Sequence, residues 1–211
     1  PNGSGSLSSS TPLADPFNSV DKPFTITYSG SMGPANCLEP IIRSIHILVT
    51  FGFTPKQLKF NFIGQGSQLS SLQNLVNTLN ISSMIDFFNL PPGPDLDSSL
   101  SQADAFIFNM LPLPDLYKYG ISFNKIFSYF SFCKPIVYWS PVHTDPVTLS
   151  GSGVISSSSS PEAFASAIIT LIEMPVQVRY QLGMNAKHYL DKYHDVHLLA
   201  NRLNSVLLQV L

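Results

Sequence analysis

The sequence predicts an α/β protein built on a doubly wound parallel sheet, followed by helices at its C-terminal end. Short runs of β-branched and aromatic residues recur along the chain, and segments with apolar residues at helical spacing lie between them. Glycine- or proline-rich turns separate most of these segments. Strands that alternate with helices at this spacing are typical of a parallel sheet covered on both faces.

The composition is that of a globular domain with few charges. The chain has 211 residues, of which 44% are hydrophobic and 11% are charged, and its formal net charge is −2. A charge-poor surface fits contact with a partner, a second domain or a membrane interface, and biased genome composition would explain it equally well. No basic block occurs, so we do not expect nucleic acid as a partner.

The expected cellular compartment follows from the cysteine content, the length of the apolar runs and the N-terminal sequence. Cys37 and Cys133 are too few for a disulfide framework, and each lies in an apolar stretch where we expect a small core residue. No apolar run reaches the roughly 18 residues of a membrane span, and no signal peptide opens the chain, so we expect a cytoplasmic protein, with peripheral association with a membrane left open. Because no initiator methionine precedes Pro1, we also expect a piece of a longer protein.

The elements follow in order after a linker at residues 1–23, which is rich in Ser, Pro, Asn and Gly. The predicted strands are residues 24–28, 58–63, 84–88, 105–108 and 136–139. Helices are predicted from residue 35, over 68–79 and 95–102, from 123, from 161 to the break at Pro175, and from there to 193. Residues 194–211 continue with apolar residues at helical spacing.

A glycine loop follows the first strand and leads into a helix. It contains Gly30, Ser31, Met32, Gly33 and Asn36. A strand, a glycine turn and a helix allow backbone N–H groups to approach a phosphate closely. A tight turn without any ligand needs glycines just as often, so the pattern by itself leaves both interpretations open.

A second glycine pair, Gly64 and Gly66, follows the second strand. The pair lacks the third glycine and the acidic residue of a dinucleotide-binding fingerprint, so we do not predict NAD.

Lys125 occupies an unusual place at the start of a helix. Ser122 is a suitable N-cap for a helix that begins at Phe123, which puts Lys125 in the first turn. A cation there faces the positive end of the helix dipole, and an anion bound between the two would remove the conflict. A lysine extended into solvent is the alternative.

Two stretches resemble the family 4 retaining glycosyltransferases, and most closely those that transfer N-acetylated amino sugars such as N-acetylfucosamine. The first is residues 120–130 with the Lys-Pro-Ile-Val that follows, which is similar to the family's donor-side motif. The second is residues 28–39, which matches the pattern Tyr-x-Gly-x-His-Gly-x-Ala-Asn-x-Leu-Asp/Glu except at Met32. Similarity continues to the last helix, from His194 onward, and Pro1-Asn2-Gly3 resembles the junction between two such domains.

The resemblance implies a specific fold and function. Residues 24–211 would be the C-terminal, Rossmann-like half of a GT-B fold, and a separate N-terminal domain would bind a glycan or lipid-linked acceptor. The ligand would be a nucleotide-sugar, UDP-linked, held without a metal ion or other cofactor. The implied donor-binding residues are Gly30, Ser31, Met32, Gly33, Asn36, Gly64, Gly66, Tyr119, Gly120, Ser122, Asn124, Lys125 and Ser128.

Some positions depart from the family pattern, and no complete catalytic set is evident. Met32 replaces a histidine, and Gly120 and Ser128 stand where many members carry glutamates. An alternative is therefore a catalytically degenerate nucleotide-sugar-binding or interaction module. His143 and Asp145 follow a strand and could reach the site, although a loop histidine with a structural role is the favoured interpretation.

Overall fold

The structure is a computed structural model, and it describes residues 22–117, 124–142, 144–194, 200, 204–205 and 207–208. Six parallel strands form one sheet in the order β3-β2-β1-β4-β5-β6. The strands are β1 Phe24–Ser29, β2 Leu58–Ile63, β3 Ile85–Phe88, β4 Ala105–Phe108, β5 Ile136–Tyr138 and β6 Gly153–Ile155. The predicted doubly wound fold is confirmed.

Helices connect the strands and close the chain. They are α1 Glu39–Thr50, α2 Leu69–Thr78, α3 Pro94–Ser101, α4 Pro114–Tyr117, α5 Asn124–Ser131, α6 Pro146–Ser150, α7 Pro161–Glu173 and α8 Val176–Tyr193. Short 3-10 turns at Pro34–Asn36 and Ser82–Met84 precede α1 and β3. The C-terminal pair, α7 and α8, is separated by Pro175 as the sequence predicts.

The core lies on both faces of the central strands. All four residues of β4 are buried, because a parallel strand covered by helices on both sides has no polar face. The stripe of α1 that packs on the sheet consists of Ile41, Ile42, Ile45 and Leu48, which are fully buried. The helical periodicity in the sequence therefore identified the packing face correctly.

The order of the strands reverses between β1 and β4. The chain first builds outward from β1 through β2 to β3, and then crosses back to place β4 on the other side of β1. Crossover connections leave on opposite sides of the sheet at this point, so a crevice opens beyond the carboxyl ends of β1 and β4. The loops after Ser29 and Phe108 border it.

Three sequence expectations need correction. The first helix begins at Glu39 rather than Ala35, because Cys37 takes a left-handed conformation with φ 43°. Neither cysteine is a core residue, since Cys37 and Cys133 are both partly exposed and both have positive φ. The sixth strand, β6, is absent from the prediction because it has only three residues in a Ser- and Gly-rich stretch.

Helix α5 is held against α8. Phe127 and His194 have ring centroids 4.2 Å apart, and the ring of Phe130 meets that of Tyr189 edge-on at 5.9 Å. These contacts fix the helix whose first turn carries Lys125. Most of the tail after His194 lies outside the described residues. Among the helices that the structure describes, none combines the length and the apolarity of a membrane span.

Candidate functional site

The loop after β1, residues 30–36 and hereafter the β1 loop, is fixed by backbone hydrogen bonds to the loop after β2, residues 64–68 and hereafter the β2 loop. Gly30 N–H donates to the Ile63 carbonyl oxygen at 3.0 Å, at the end of β2. Met32 N–H donates to Gln65 O at 2.7 Å, and Met32 O accepts from Gln68 N–H at 2.9 Å. The β1 loop therefore has a defined shape before any ligand binds.

Gly64 and Gly66 allow this close packing of the two loops. A Cβ on Gly64 would overlap the Gly30 carbonyl oxygen, and a Cβ on Gly66 would overlap the Met32 backbone. Gly64 also has φ 138°, which residues with a side chain rarely adopt. Loop packing accounts for both glycines, and their predicted contact with a donor stays a prediction.

Some backbone N–H groups of the β1 loop remain available to a ligand. Within the part of the chain that the structure describes, the N–H groups of Ser31 and Gly33 donate to no protein acceptor. Ser31 is exposed and Gly33 is partly exposed, so both N–H groups lie near the surface of the loop. Because neither N–H group donates to a protein acceptor, both can bind an anion without breaking a hydrogen bond.

Lys125 reaches from α5 to the β1 loop. Its Nζ donates to Tyr28 Oη at 3.2 Å and to Asn36 Oδ1, and it lies 4.7 Å from the centroid of the Tyr28 ring. Gly30 makes room for the side chain, because a Cβ there would lie 3.3 Å from Nζ. Gly30, Asn36 and Lys125 thus lie in one cluster, although Gly30 and Lys125 are 95 residues apart in the sequence.

The charge of Lys125 has no counter-charge in the described residues. None of the ion pairs that the structure describes includes this lysine. Burial of the ammonium lowers its pKa to about 8, so it remains largely protonated at neutral pH. A half-buried ammonium bonded only to neutral groups is costly unless an anion binds next to it.

Replacing Lys125 with methionine is expected to stabilise the ligand-free chain at pH 7, by about 1 kcal/mol or about 2–4 °C in Tm. The pKa of Lys125 in the folded chain, about 8, lies below the ordinary 10.5, so folding at pH 7 includes the cost of burying the charge. That cost falls as the pH rises through 8 and is gone above 10.5. The advantage of the variant over wild type should therefore shrink over this range in thermal unfolding experiments.

Lys59→Met is the control for that experiment. Lys59 pairs with Asp86 at 3.1 Å on the sheet edge, so its loss should not stabilise the chain. Equal behaviour of the two variants would contradict a cost specific to Lys125.

Tyr129 joins α5 to the end of β1. Its hydroxyl accepts from Ser29 N–H at 2.8 Å and donates to Ser29 O at 3.0 Å, and its ring stacks on Phe106 at 4.2 Å. It lies one helical turn after Lys125, on the same face of α5. The sequence interpretation missed Tyr129, although its i+4 spacing from Lys125 was a usable signal.

Asn109 joins the two sides of the crevice. It follows β4 directly and is buried, and its Nδ2 donates to Cys37 O at 2.8 Å. Nearby, Leu111 N–H donates to Ala35 O at 3.2 Å. The sequence interpretation also missed Asn109, whose signal was a polar residue at the carboxyl end of a fully apolar strand.

The remaining predicted site residues lie at different depths. Asn124 and Ser128 are exposed on α5, close in sequence to Lys125. The Met32 side chain is fully buried in the core, so it faces away from solvent, and a donor contact at this position stays a prediction. Tyr119, Gly120 and Ser122 lie outside the described residues, as does His143.

Asp145 does not reach the crevice. Its carboxylate is fully buried, caps α6 by accepting from the backbone N–H groups of Val147 and Thr148, and accepts from Tyr138 Oη at 2.6 Å. The expectation that it could line the site is wrong, because its oxygens are used within the fold. Across the described ranges, no group of three or more His, Cys, Asp or Glu side chains is placed to hold a metal ion.

Solved structures identify the architecture. HepE from Anabaena, in complex with UDP, superposes with a TM-score of 0.70 at 15% identity over 90% of this chain and 50% of its own length. The C-terminal domain of the group 1 glycosyltransferase LpcC from Francisella tularensis gives 0.63 at 12% identity, over 86% of this chain and 92% of that domain. The fold is the Rossmann-like half of a GT-B glycosyltransferase.

Sequence comparisons give no family assignment. No protein-family model matches the chain, and none of the curated proteins matches it either. TarM from S. aureus, in complex with UDP among other ligands, also has the fold, with a TM-score of 0.68 at 12% identity over 86% of this chain. The chain spans half of HepE and 35% of TarM, so each of these proteins has a large part that this chain does not match.

Proposed function

We propose that the chain is the donor-binding domain of a retaining glycosyltransferase, and that it holds the diphosphate of a nucleotide-sugar between the β1 loop and the first turn of α5. The observation that carries the proposal is the Lys125 ammonium, which is half-buried, has no counter-charge among the described residues and bonds Asn36 of the β1 loop, whose Ser31 and Gly33 N–H groups have no protein acceptor. It lies at the strand-order switch point, where ligands of doubly wound sheets bind.

The arrangement fits a diphosphate better than a single carboxylate. A diphosphate spreads its charge over two groups, and the site offers two separate sets of donors. Ser31 and Gly33 provide backbone N–H groups on the β1 loop, and the start of α5 provides a helix N-terminus and the Lys125 ammonium. Together they can offset the charge without a metal ion.

The nature of the donor is part of the proposal. A UDP-linked N-acetylated amino sugar is supported by the resemblance of residues 28–39 and 120–130 to transferases of such sugars, and HepE and TarM were solved with UDP. A glycan or lipid-linked acceptor would bind to another domain, in the manner of two-domain GT-B enzymes. Retention would appear as an unchanged anomeric configuration in the product of the full-length protein.

A second candidate is a nucleotide-sugar-binding module that has lost catalysis. Met32 favours it, because a buried thioether cannot donate the hydrogen bond of the histidine in the family pattern. Ser128 also favours it, because a hydroxyl binds a ribose more weakly than a carboxylate does. Both candidates predict donor binding, and only the first predicts transfer.

Saturation-transfer NMR tests the shared step. The chain is mixed separately with UDP, GDP and UDP-N-acetylglucosamine at millimolar concentration, and inorganic phosphate, which has no observable protons, is added as a competitor. We expect transfer to the uridine and ribose protons, and competition between UDP and the UDP-sugar. If no nucleotide receives saturation, donor binding by this domain is contradicted.

A further inference from the structure

Lys125 is held by two neutral acceptors whose own hydrogen bonds converge on one backbone oxygen. Tyr28 Oη donates to Ser31 O at 2.5 Å, and Asn36 Nδ2 donates to the same oxygen at 2.8 Å. Tyr28 Oη and Asn36 Oδ1 each accept a hydrogen bond from Lys125 Nζ. Tyr28, Asn36, Ser31 and Lys125 therefore form one closed network between β1, the β1 loop and α5.

The direction of each hydrogen bond in this network is determined. Ser31 O can only accept, so the single Tyr28 proton points toward it, and Tyr28 Oη must accept from Lys125. In the same way Asn36 Nδ2–H donates to Ser31 O, and Asn36 Oδ1 accepts from Lys125 Nζ. An ammonium has three protons, and these two acceptors use two of them.

The two acceptors also leave the charge intact. Burial raises the pKa of the Tyr28 phenol, so it stays neutral, and an amide carries no charge at any relevant pH. A carboxylate in either place would neutralise Lys125 before a ligand arrived. The network thus fixes the position of the ammonium while one proton and a full positive charge remain for an anion.

We propose that Tyr28 and Asn36 are positioning residues. Together they form a neutral cradle, in which their side chains connect the Lys125 ammonium to the Ser31 carbonyl oxygen. Lys125 and the β1 loop would then act as one preformed diphosphate site. The inference rests on the proposed function. Preorganisation of this kind raises affinity because the ligand does not have to order the lysine or the loop. Without the cradle, Lys125 would have to lose its rotamer freedom on binding.

Tyr28→Phe is the main test, because it removes one hydroxyl and keeps the ring that packs on Phe62 at 6.0 Å. Binding of UDP is measured by calorimetry for wild type, Tyr28→Phe, Lys125→Ala and the double variant. We expect Tyr28→Phe to weaken UDP binding about tenfold. The double variant should bind as Lys125→Ala does, within twofold, because the hydroxyl acts through the lysine.

Two further variants separate positioning from general stability. Tyr138→Phe also removes a buried hydroxyl, but this hydroxyl donates to Asp145 and is not part of the network. This variant should change UDP affinity less than twofold. Asn36→Ala removes the second acceptor of Lys125, and because Asn36 is partly exposed the substitution should disturb the core little. If Tyr28→Phe does not fold, Asn36→Ala takes its place in the double-mutant cycle.

The possible outcomes have different meanings. If Lys125→Ala weakens binding but Tyr28→Phe and Asn36→Ala do not, the proposed function stands and the cradle is wrong. If the losses of Tyr28→Phe and Lys125→Ala multiply in the double variant, the tyrosine acts independently of the lysine, which also overturns the inference. If Lys125→Ala binds UDP as wild type does, the site assignment under the proposed function fails.

Discussion

Replacing Lys125 with alanine is expected to weaken UDP binding by about 10- to 150-fold, or about 1.5–3 kcal/mol, the usual scale of a hydrogen bond to a charged group. The ammonium has no counter-charge among the described residues and is already held in place at the crevice. The whole of its interaction with a diphosphate should therefore be lost. Isothermal calorimetry of the two proteins at pH 7 measures the change.

Lys134→Ala is the matched control for this loss. Lys134 directly precedes Pro135 and β5, so it lies at the amino ends of the parallel strands. The crevice lies at the opposite, carboxyl ends. Replacement of Lys134 changes the net charge by the same amount, and UDP affinity should change less than twofold. Comparable losses in both variants would mean that long-range attraction, rather than a contact with Lys125, carries the effect.

Gly64→Ala is expected to lower the free energy of unfolding by about 3 kcal/mol or more. The added Cβ overlaps the Gly30 carbonyl oxygen, which is backbone and cannot rotate away, and the residue would also keep a φ of 138°. Relief of the overlap requires the β1 and β2 loops to separate. We therefore expect weaker UDP binding as well, and both effects are measured on the same protein by chemical denaturation and calorimetry.

Gly93→Ala separates the overlap from the backbone strain. Gly93 has φ 146°, close to that of Gly64, but no atom lies within 4 Å of the position of its Cβ. Gly93→Ala should cost only the backbone strain, about 1–3 kcal/mol, and leave UDP binding unchanged. Equal destabilisation by the two substitutions would show that contact between the loops is not what requires glycine at Gly64.

Strand and helix patterns in the sequence were sufficient for the fold. The five predicted strands are present. β4 and β5 are short apolar runs buried on both faces, whereas β1 and β2 alternate apolar with polar or β-branched residues, and both patterns indicate strands. β6 was missed because Gly153–Ile155 has too few apolar residues to produce a pattern. The start of α1 was misplaced because the left-handed turn at Cys37 depends on tertiary contacts, including the bond from Asn109.

The candidate site was predictable only in outline. Glycines after β1 and a lysine at the start of α5 can be read from local sequence, and the topology brings them together. The i+4 spacing could place Tyr129 on the same face of α5 as Lys125, but the hydrogen bonds of Tyr28 and Tyr129 could not be read in this way, because each hydroxyl reaches a partner about 100 residues away. Gly64 could be noticed as a glycine, but its packing against Gly30 could not.

The most direct test of the account is a ¹⁵N-resolved NMR titration of the chain with UDP. We predict that the largest amide shift changes occur at Ser31 and Gly33 in the β1 loop and at Lys125 in the first turn of α5. Lys134, at the other edge of the sheet, should not change. Shift changes confined to residues away from these two segments, or none at millimolar UDP, would contradict a diphosphate site at the crevice.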